Sequence, residues 1–340
     1  MAGPPEVTAV LVASHERPAV LERLIASLAE QTLAPSQVVL VDQSPDGRFA
    51  ELSRTPDLHV DVLAVGENLG YPSACNRGAA RASGQFLLFI NPDAEADESC
   101  IATLAAALAE HPNAAVAGAQ VLLPDGRVNA GDNGLHLTGL SWAGRFGLAA
   151  EDGPPRPAAV VSGAALMVRR SVFEALGGYT EGFFMYYDDV DFAWRARLVG
   201  WEVLFCPHAR VAHDYEFEKG SYKWLYLERN RWWCLLAHFR VGTLLALAPL
   251  LVAVEAAICA RAAAEGWLAA KLGAWRLLWR DRRRLAARRR EIQERRTVGD
   301  RPIVERMSAT VDSPFIASDA AKRLEPALRA YRRLVVRLAR

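Results

Sequence analysis

Over its first 125 residues the chain alternates between two hydrophobic periods. Runs in which nearly every position is apolar recur at Val7–Ala13, Gln37–Asp42, Val60–Val65, Phe86–Asn91 and Ala115–Leu123. Between them, PAVLERLIASLAEQ and CIATLAAALAEH place apolar residues three and four apart, the spacing of one helix face. Strands this uniformly apolar are covered on both faces. Their alternation with helices predicts an α/β domain with a mainly parallel central sheet. The pattern lapses over 124–158, where PDGRVNAGDNG and EDGPPRP are rich in Gly, Asp and Pro, the composition of a turn and a long excursion. It resumes with AVVSGAALMV, a further strand, then a short helix from about Ser171 and Gly177-Gly178.

Beyond His213 the character changes. YKWLYLERNRWWCLLAHF is dense in aromatics, and Gly242–Ala260 is almost uncharged, interrupted by Pro249 and Glu255. That stretch is near the length that crosses a bilayer. A second apolar segment, Trp267–Trp279, follows Glu265-Gly266 and is too short to cross alone. Between Arg280 and Arg296 stand nine Arg against Asp281, Glu291 and Glu294. A single crossing would put this tract on the side opposite the sheet domain, against the positive-inside tendency. The expectation is therefore an apolar helical hairpin in, or dipping into, the cytoplasmic leaflet, with the Arg tract on anionic headgroups. The plainer alternative is a helical cap packed on the sheet domain. The expected division is 1–235 for the α/β domain, 236–296 for the hairpin and basic tract, and 297–340 for a helical or irregular tail.

The whole 340-residue chain has a net charge of +1, which gives no global case for nucleic acid. Its five Cys are scattered and lack C-x-x-C spacing, as in a protein of a reducing compartment without a disulfide framework or zinc site. The N-terminus carries Glu6 and no basic region, and VTAVLVA is too short for a signal-peptide core.

Candidate chemistry concentrates in FFMYYDDVDFAWR. Asp188, Asp189 and Asp191 follow an aromatic cluster of Phe183, Phe184, Tyr186 and Tyr187, and His213 lies 24 residues beyond Asp189. A carboxylate against an aromatic wall is partly desolvated, which suits a general base. The alternative is an acidic first turn that favours its own helix dipole. Asp42 ends the strand VVLVD, where open parallel sheets bind ligands, or it simply opens the turn into SPDG. ASHERP after the first strand lacks G-x-G-x-x-G, so hydride transfer with a dinucleotide loses its support. In ENLGYPSACNRG, Asn68 and Gly70 form a turn before a helix carrying Asn76 and Arg77, groups suited to a phosphate near a helix start. Asp93 emerges after FLLFI in Asn91-Pro92-Asp93. It could hold Mg²⁺ or Mn²⁺, or cap the helix that begins near Glu98. His136 and Trp142, in the Gly-rich excursion, read as loop packing or as acceptor-facing groups. Arg229 and Arg231 read as phosphate contacts or as the basic end of a helix at a membrane.

Together, ASHERPAVLERLIASL, VVLVDQSPDG, ENLGYPSACNRG, FLLFINPDA and FFMYYDDVDFAWRARLVGW with His213 resemble the family 2 glycosyltransferases over roughly residues 6–235. The rhamnosyltransferase and galactofuranosyltransferase branch is the most similar. The resemblance implies a Rossmann-like GT-A nucleotide-sugar-binding domain, followed here by a C-terminal α-helical membrane-associated region. It implies inverting, metal-dependent transfer of a sugar, with dTDP-rhamnose as the donor by resemblance, to a glycan or polyprenyl-linked acceptor at the cytoplasmic face of the cell membrane. It makes Asp189 the base, with Asp188 in reserve, and Asp42 a contact to the donor's base or ribose. Asn68, Asn76, Arg77, Asn91 and Asp93 would lie around the nucleotide sugar, and Asp93 with His213 would ligate Mn²⁺ or Mg²⁺. The family's D-x-D appears as Asn91-Pro92-Asp93, which lacks the first acid. Q-x-x-R-W is only approximated by Glu228-Arg229-Asn230-Arg231-Trp232, an argument against processivity. An inactive membrane-anchored scaffold is the alternative from another class. A nucleotidyltransferase would want a Gly-rich basic loop where ASHERPAV stands.

Overall fold

The computed structural model describes residues 3, 5–54, 58–213, 220, 222–315 and 323–339. Contacts divide the chain into two units. The first comprises 1–133, 143–192 and 201–215; the second comprises 134–142, 193–200 and 216–340. The aromatic segment before residue 235 thus groups with the helices that follow it, whereas the sequence pattern had drawn the line after it.

The first unit is built on a ten-stranded sheet. Its strands are β1 (Val7–Ala13), β2 (Gln37–Asp42), β3 (Val60–Ala64), β4 (Phe86–Ile90) and β5 (Ala94–Ala96). They continue as β6 (Ala114–Leu122), β7 (Val128–Ala130), β8 (Arg156–Pro157), β9 (Ala165–Arg169) and β10 (Glu202–His213). The order is β8-β10-β6-β9-β4-β1-β2-β3, with β5 on β10 and β7 on β6. β1 pairs in parallel with both β2 and β4, β2 with β3, and β10 with β6. Within the sheet β9 is antiparallel to β4 and β6 on either side, and the short strands β8 and β5 are antiparallel to β10 and β7 to β6. Apolar runs predict a buried strand but not its direction, which is why β9, in the sheet interior, departs from the expected parallel pattern.

Helices cover this sheet for the reasons their periodicity gives. In α1 (Pro18–Ala29), Pro18 occupies the first turn, where its missing N–H is harmless, and Leu21, Leu24, Ile25 and Leu28 form the buried stripe. α3 (Cys100–Glu110) buries Ile101, Leu104, Ala105 and Leu108 in the same way. α2 (Tyr71–Ala79) lies close on the strands because Gly78 has no side chain. A Cβ there would stand 2.5 Å from Val10 Cγ1. α4 (Arg170–Ala175) is short, and α5 (Asp188–Leu198) follows a turn-rich segment. The C-terminal ends of β2, β4 and β10 carry the polar residues that matter below.

The second unit is helical: α6 (Tyr222–His238), α7 (Val241–Ala264), α8 (Leu268–Arg280) and α9 (Arg282–Arg295), with a further helix at Glu325–Leu338. The two apolar segments are α7 and α8, separated at Glu265-Gly266, where Gly266 takes φ 80°. α7 runs 24 residues through Pro249 and is, by length and composition, apolar enough to cross a membrane. Part of the tail, residues 316–322, lies outside the described residues.

This unit buries a charge cluster. Arg231 of α6 meets Glu228 at 2.7 Å and Glu255 of α7 at 2.5 Å, and Lys271 of α8 pairs with both acids. The indoles of Trp232 and Trp275 each donate to Glu255 Oε1 at 3.0 Å. Arg229 pairs with Asp281 at 2.8 Å. Arg229 and Arg231 are therefore neither phosphate contacts nor an exposed basic end: both are buried against acids of neighbouring helices. His136 is likewise a satisfied interior histidine. Its Nε2 lies 3.0 Å from the Ala309 carbonyl and its Nδ1 2.8 Å from Thr138 Oγ1, and burial pushes its pKa down to about 4. Trp142 packs over Gly134, where an added Cβ would collide with its ring.

Candidate active site

Asp42 ends β2 fully buried. Its Oδ1 accepts from the Ser44 amide at 2.8 Å and the Ser44 hydroxyl at 2.5 Å, while its Oδ2 has no hydrogen-bond partner. A buried carboxylate oxygen without a donor costs free energy unless a bound molecule supplies one. The adjacent Gln43 accepts from the Leu69 amide at 2.7 Å, which ties the end of β2 to the loop before α2. In that loop Asn68 Oδ1 accepts from the Gly70 amide at 2.9 Å, a local turn of the kind Asn favours. Gly70 itself is required. It takes φ 80°, and a Cβ there would lie 2.4 Å from the Phe184 carbonyl oxygen, to which the Tyr71 amide donates at 3.0 Å. The loop before α2 and the aromatic segment before α5 are thus bonded to each other.

Asn76 and Arg77 stand elsewhere than a helix-start phosphate would require. Asn76 spends its amide on a loop, donating to the Tyr179 carbonyl at 3.0 Å and accepting from the Tyr179 amide at 2.8 Å. Arg77 lies in the last turn of α2, exposed, about 9 Å along the axis from Tyr71. The helix begins at Tyr71, earlier than the argument from ENLGYPSACNRG needed.

Asn91, Asp93 and His213 meet. His213 ends β10, where its register partner is Ala94 of β5, so the strand pairing itself carries the imidazole to Asn91-Pro92-Asp93. His213 Nε2 lies 3.0 Å from Asp93 Oδ1 and 3.3 Å from the Asn91 amide nitrogen. Asn129 donates to the His213 carbonyl at 3.3 Å and fixes the strand end. The imidazole is buried, and the Asp93 carboxylate is 42% exposed and open to a ligand. The imidazole nitrogen and the carboxylate oxygen form a donor pair that fits a divalent cation such as Mn²⁺, while Asn91 turns its NH₂ toward the imidazole.

Asp189 joins the same neighbourhood through the backbone. Its Oδ2 accepts from the Gly163 amide at 3.1 Å and its Oδ1 from the Val190 amide at 2.7 Å. The next residue, Ala164, receives the Asn91 amide on its carbonyl at 2.9 Å. The path Asp189–Gly163–Ala164–Asn91–His213–Asp93 is thereby continuous.

What aims the carboxylates is backbone strain that the sequence does not advertise. Tyr186 and Tyr187 adopt φ 66° and 67°, a left-handed pair of bulky residues directly before α5. Such conformations cost about 1–3 kcal/mol each and persist where surrounding structure imposes them. Here Phe183 and Tyr187 are buried, and beneath them Phe89, Phe173, Tyr179 and Phe192 form a ring cluster with centroids 5.0–5.5 Å apart. Asp188 and Asp189 therefore start their helix against an apolar floor. Burial pushes the Asp188 pKa well up, and the neighbouring Asp189 charge pushes it further. Burial also raises Asp189, to about 6, while the Val190 and Gly163 amides oppose that rise. Beside Asp188, burial keeps the Tyr71 hydroxyl and the Cys75 thiol protonated. Of the pair, Asp189 is the better anion and Asp188 the better proton holder.

Sequence reasoning missed Gly163, the backbone donor to Asp189. The only available sign was a glycine at the start of a strand that otherwise reads as continuous.

An open, mostly parallel sheet with acids and an imidazole gathered at its strand ends is the architecture in which α/β proteins bind ligands beyond the carboxyl ends of their strands. Residues 9–177 match the family model Glycosyl transferase family 2. The chain is 32% identical over 220 residues to N-acetylglucosaminyl-diphospho-decaprenol L-rhamnosyltransferase of Mycobacterium tuberculosis, covering 57% of this chain and 71% of that one. It is 30% identical over 224 residues to O-antigen biosynthesis protein RfbC of Myxococcus xanthus, covering 62% of this chain but 17% of that one. Among solved structures, that of GalNAc-T7 with UDP, GalNAc and Mn²⁺ superimposes with a TM-score of 0.60 at 18% identity, over 72% of this chain and 50% of that one, and so shares the fold. The chain belongs to glycosyl transferase family 2.

Proposed function

We propose that the protein transfers a sugar, L-rhamnose from dTDP-rhamnose, to a hydroxyl of a lipid-linked glycan in cell-envelope polysaccharide synthesis, with inversion at the anomeric carbon. The sugar and the lipid-linked acceptor follow the name of the mycobacterial relative, and the dTDP of the donor follows the resemblance to the rhamnosyltransferase branch. The observation that carries the reading is the connected path from Asp189 to Asp93 and His213, which supports a base acting beside a group that would hold the diphosphate. Asp42, with its unpartnered buried oxygen, would accept an N–H from the donor's base. Asn68 shapes the loop above it, and Asn76 acts through the 179–181 loop. Asp189, ionised, takes the proton from the attacking hydroxyl as the new bond forms on the face opposite the leaving diphosphate. Asp188, still protonated, keeps a second charge out of the pocket. Asp93 and His213 would hold the divalent ion, with Asn91 beside them; when bound, it compensates the charge growing on the departing diphosphate.

We place the enzyme at the cytoplasmic face of the cell membrane, with α7 lying in the interface rather than crossing it. Glu255, in the middle of α7, pairs with Arg231 of α6 and Lys271 of α8. A crossing α7 would drag both partners to mid-bilayer, and α8, with 13 residues, reaches only about 20 Å of a roughly 30 Å core.

The test is turnover of a panel of nucleotide sugars with Mn²⁺. Asp189→Asn should lower kcat about 10²–10⁴-fold, the usual worth of a positioned base. Equal turnover by the variant and the parent removes Asp189 from that role, and no turnover of any donor by the parent favours the scaffold reading.

A further inference from the structure

The helical unit contains a groove of about 570 Å³ lined by Leu225 of α6 and by Gly273, Arg276, Leu277, Trp279 and Arg280 of α8. That volume is in the range of small-molecule sites, roughly 300–1,000 Å³. Its walls are apolar apart from the two guanidiniums. Gly273 opens it: a Cβ there would lie 2.9 Å from Leu225 Cδ1 and fill the space where the two helices approach.

The charge at the rim is in surplus. Arg276 is exposed and has no acidic partner among the described residues. Arg280 reaches Asp281 Oδ1 at 3.2 Å, but Asp281 already holds the buried Arg229 through its other oxygen. One carboxylate thus serves two guanidiniums. Arg276 and Arg280 are four residues apart, so they stand on one side of α8 about 5–6 Å from each other. Trp279, 71% exposed, carries the Arg282 guanidinium 4.7 Å above its ring and continues the basic rim into α9.

We propose that this groove binds the lipid part of the acceptor, an isoprenoid-type chain ending in a diphosphate, with the chain along Leu225, Leu277 and Trp279 and the diphosphate on Arg276 and Arg280. Planar guanidiniums bind phosphate oxygens in pairs, and two of them a helical turn apart match two linked phosphates better than one. The inference rests on the acceptor reading given above and adds to it the place where the carrier docks.

Farnesyl diphosphate is a soluble probe of this chemistry, and its binding to the full-length protein can be followed by titration calorimetry and tryptophan fluorescence at fixed salt. It should bind at least tenfold more tightly than either inorganic diphosphate or farnesol. The double substitution Arg276→Gln/Arg280→Gln should weaken it at least tenfold. Gly273→Leu, which keeps every charge, should do the same while leaving the weak binding of inorganic diphosphate unaltered. Equal affinities for farnesyl and inorganic diphosphate would reduce the groove to a charged patch. An unaffected Gly273→Leu variant would overturn the channel. Phosphatidylglycerol vesicles whose binding falls in parallel with farnesyl diphosphate in Gly273→Leu would make the surface a bilayer contact instead. The readout needs no sugar transfer, so the groove and the transferase reading fail separately.

Discussion

Two carboxylate pairs in this molecule, each with one buried and one partly buried member, have opposite neighbours. In the helical unit Glu228 and Glu255 face Arg231 and Lys271, and two indole N–H groups complete the coordination of Glu255. In the sheet unit Asp188 and Asp189 face each other, aromatic rings and backbone amides, and among the described residues neither forms an ion pair. The first pair has its charge cancelled in place and serves geometry: one cluster fixes α6, α7 and α8 together. The second has its charge opposed by burial and so acquires proton affinity at neutral pH, the property a base needs. Burial alone does not distinguish a structural acid from a chemical one. The sign of what surrounds it does.

The largest effect should come from breaking the balanced cluster. Lys271 is fully buried between two acids, and Lys271→Met leaves Glu228 and Glu255 with one cation. Removing one partner of a buried ion pair costs about 3–5 kcal/mol. Urea unfolding should show that loss. A midpoint within error of the parent would mean that the cluster is solvated and that α7 is not held by it.

The chemical pair is sharpened next through its metal partner. His213→Ala should raise the Mn²⁺ concentration for half-maximal turnover by about 10–100-fold, on the order of losing a metal-site interaction. An unchanged metal requirement would make His213 a structural end to β10. A smaller and more specific effect is the acid limb. A base held at about 6 implies that kcat/KM falls tenfold per unit as pH drops below that value, because the protonated carboxyl cannot accept the hydroxyl proton. A rate flat from pH 7 to 5 would exclude a raised carboxylate as the base.

Much of the sheet was legible. Val7–Ala13 and Gln37–Asp42 coincide with β1 and β2 because a strand buried on both faces has no polar position to blur its ends. Strand direction was not, since the β9 sequence ALMVR would read identically reversed in the sheet. The paired left-handed tyrosines were illegible because bulky aromatic residues disfavour positive φ, and only the fold imposes it. The charge cluster was hidden for another reason. Glu228 and Arg231 look like an ordinary exposed i, i+3 pair, Glu255 reads as an interruption in an apolar run, and Lys271 lies in a segment otherwise noted for being apolar. Their meeting depends on how three helices pack, which no local pattern records. Asp93 and His213, 120 residues apart, could be linked only through resemblance; the pairing of β5 with β10 is the physical link.

The smallest effect separates the two members of the acidic pair. Asp188 is buried, and its folded-state pKa lies well above that of an unfolded aspartate, about 3.9. Between those two values the folded chain holds a proton that the unfolded chain has released, so stability falls as pH rises and is lowest once Asp188 is forced to ionise. Asp188→Asn is neutral at every pH and should abolish that decline. Its stability advantage over the parent should grow by about 1–2 kcal/mol between pH 6 and pH 9, allowing for water reaching the ionised side chain. Urea midpoints at the two pH values decide it. A parent as stable at pH 9 as at pH 6 would mean that Asp188 is ionised throughout and that the pocket carries two charges, in which case Asp189 cannot be singled out as the base by its surroundings.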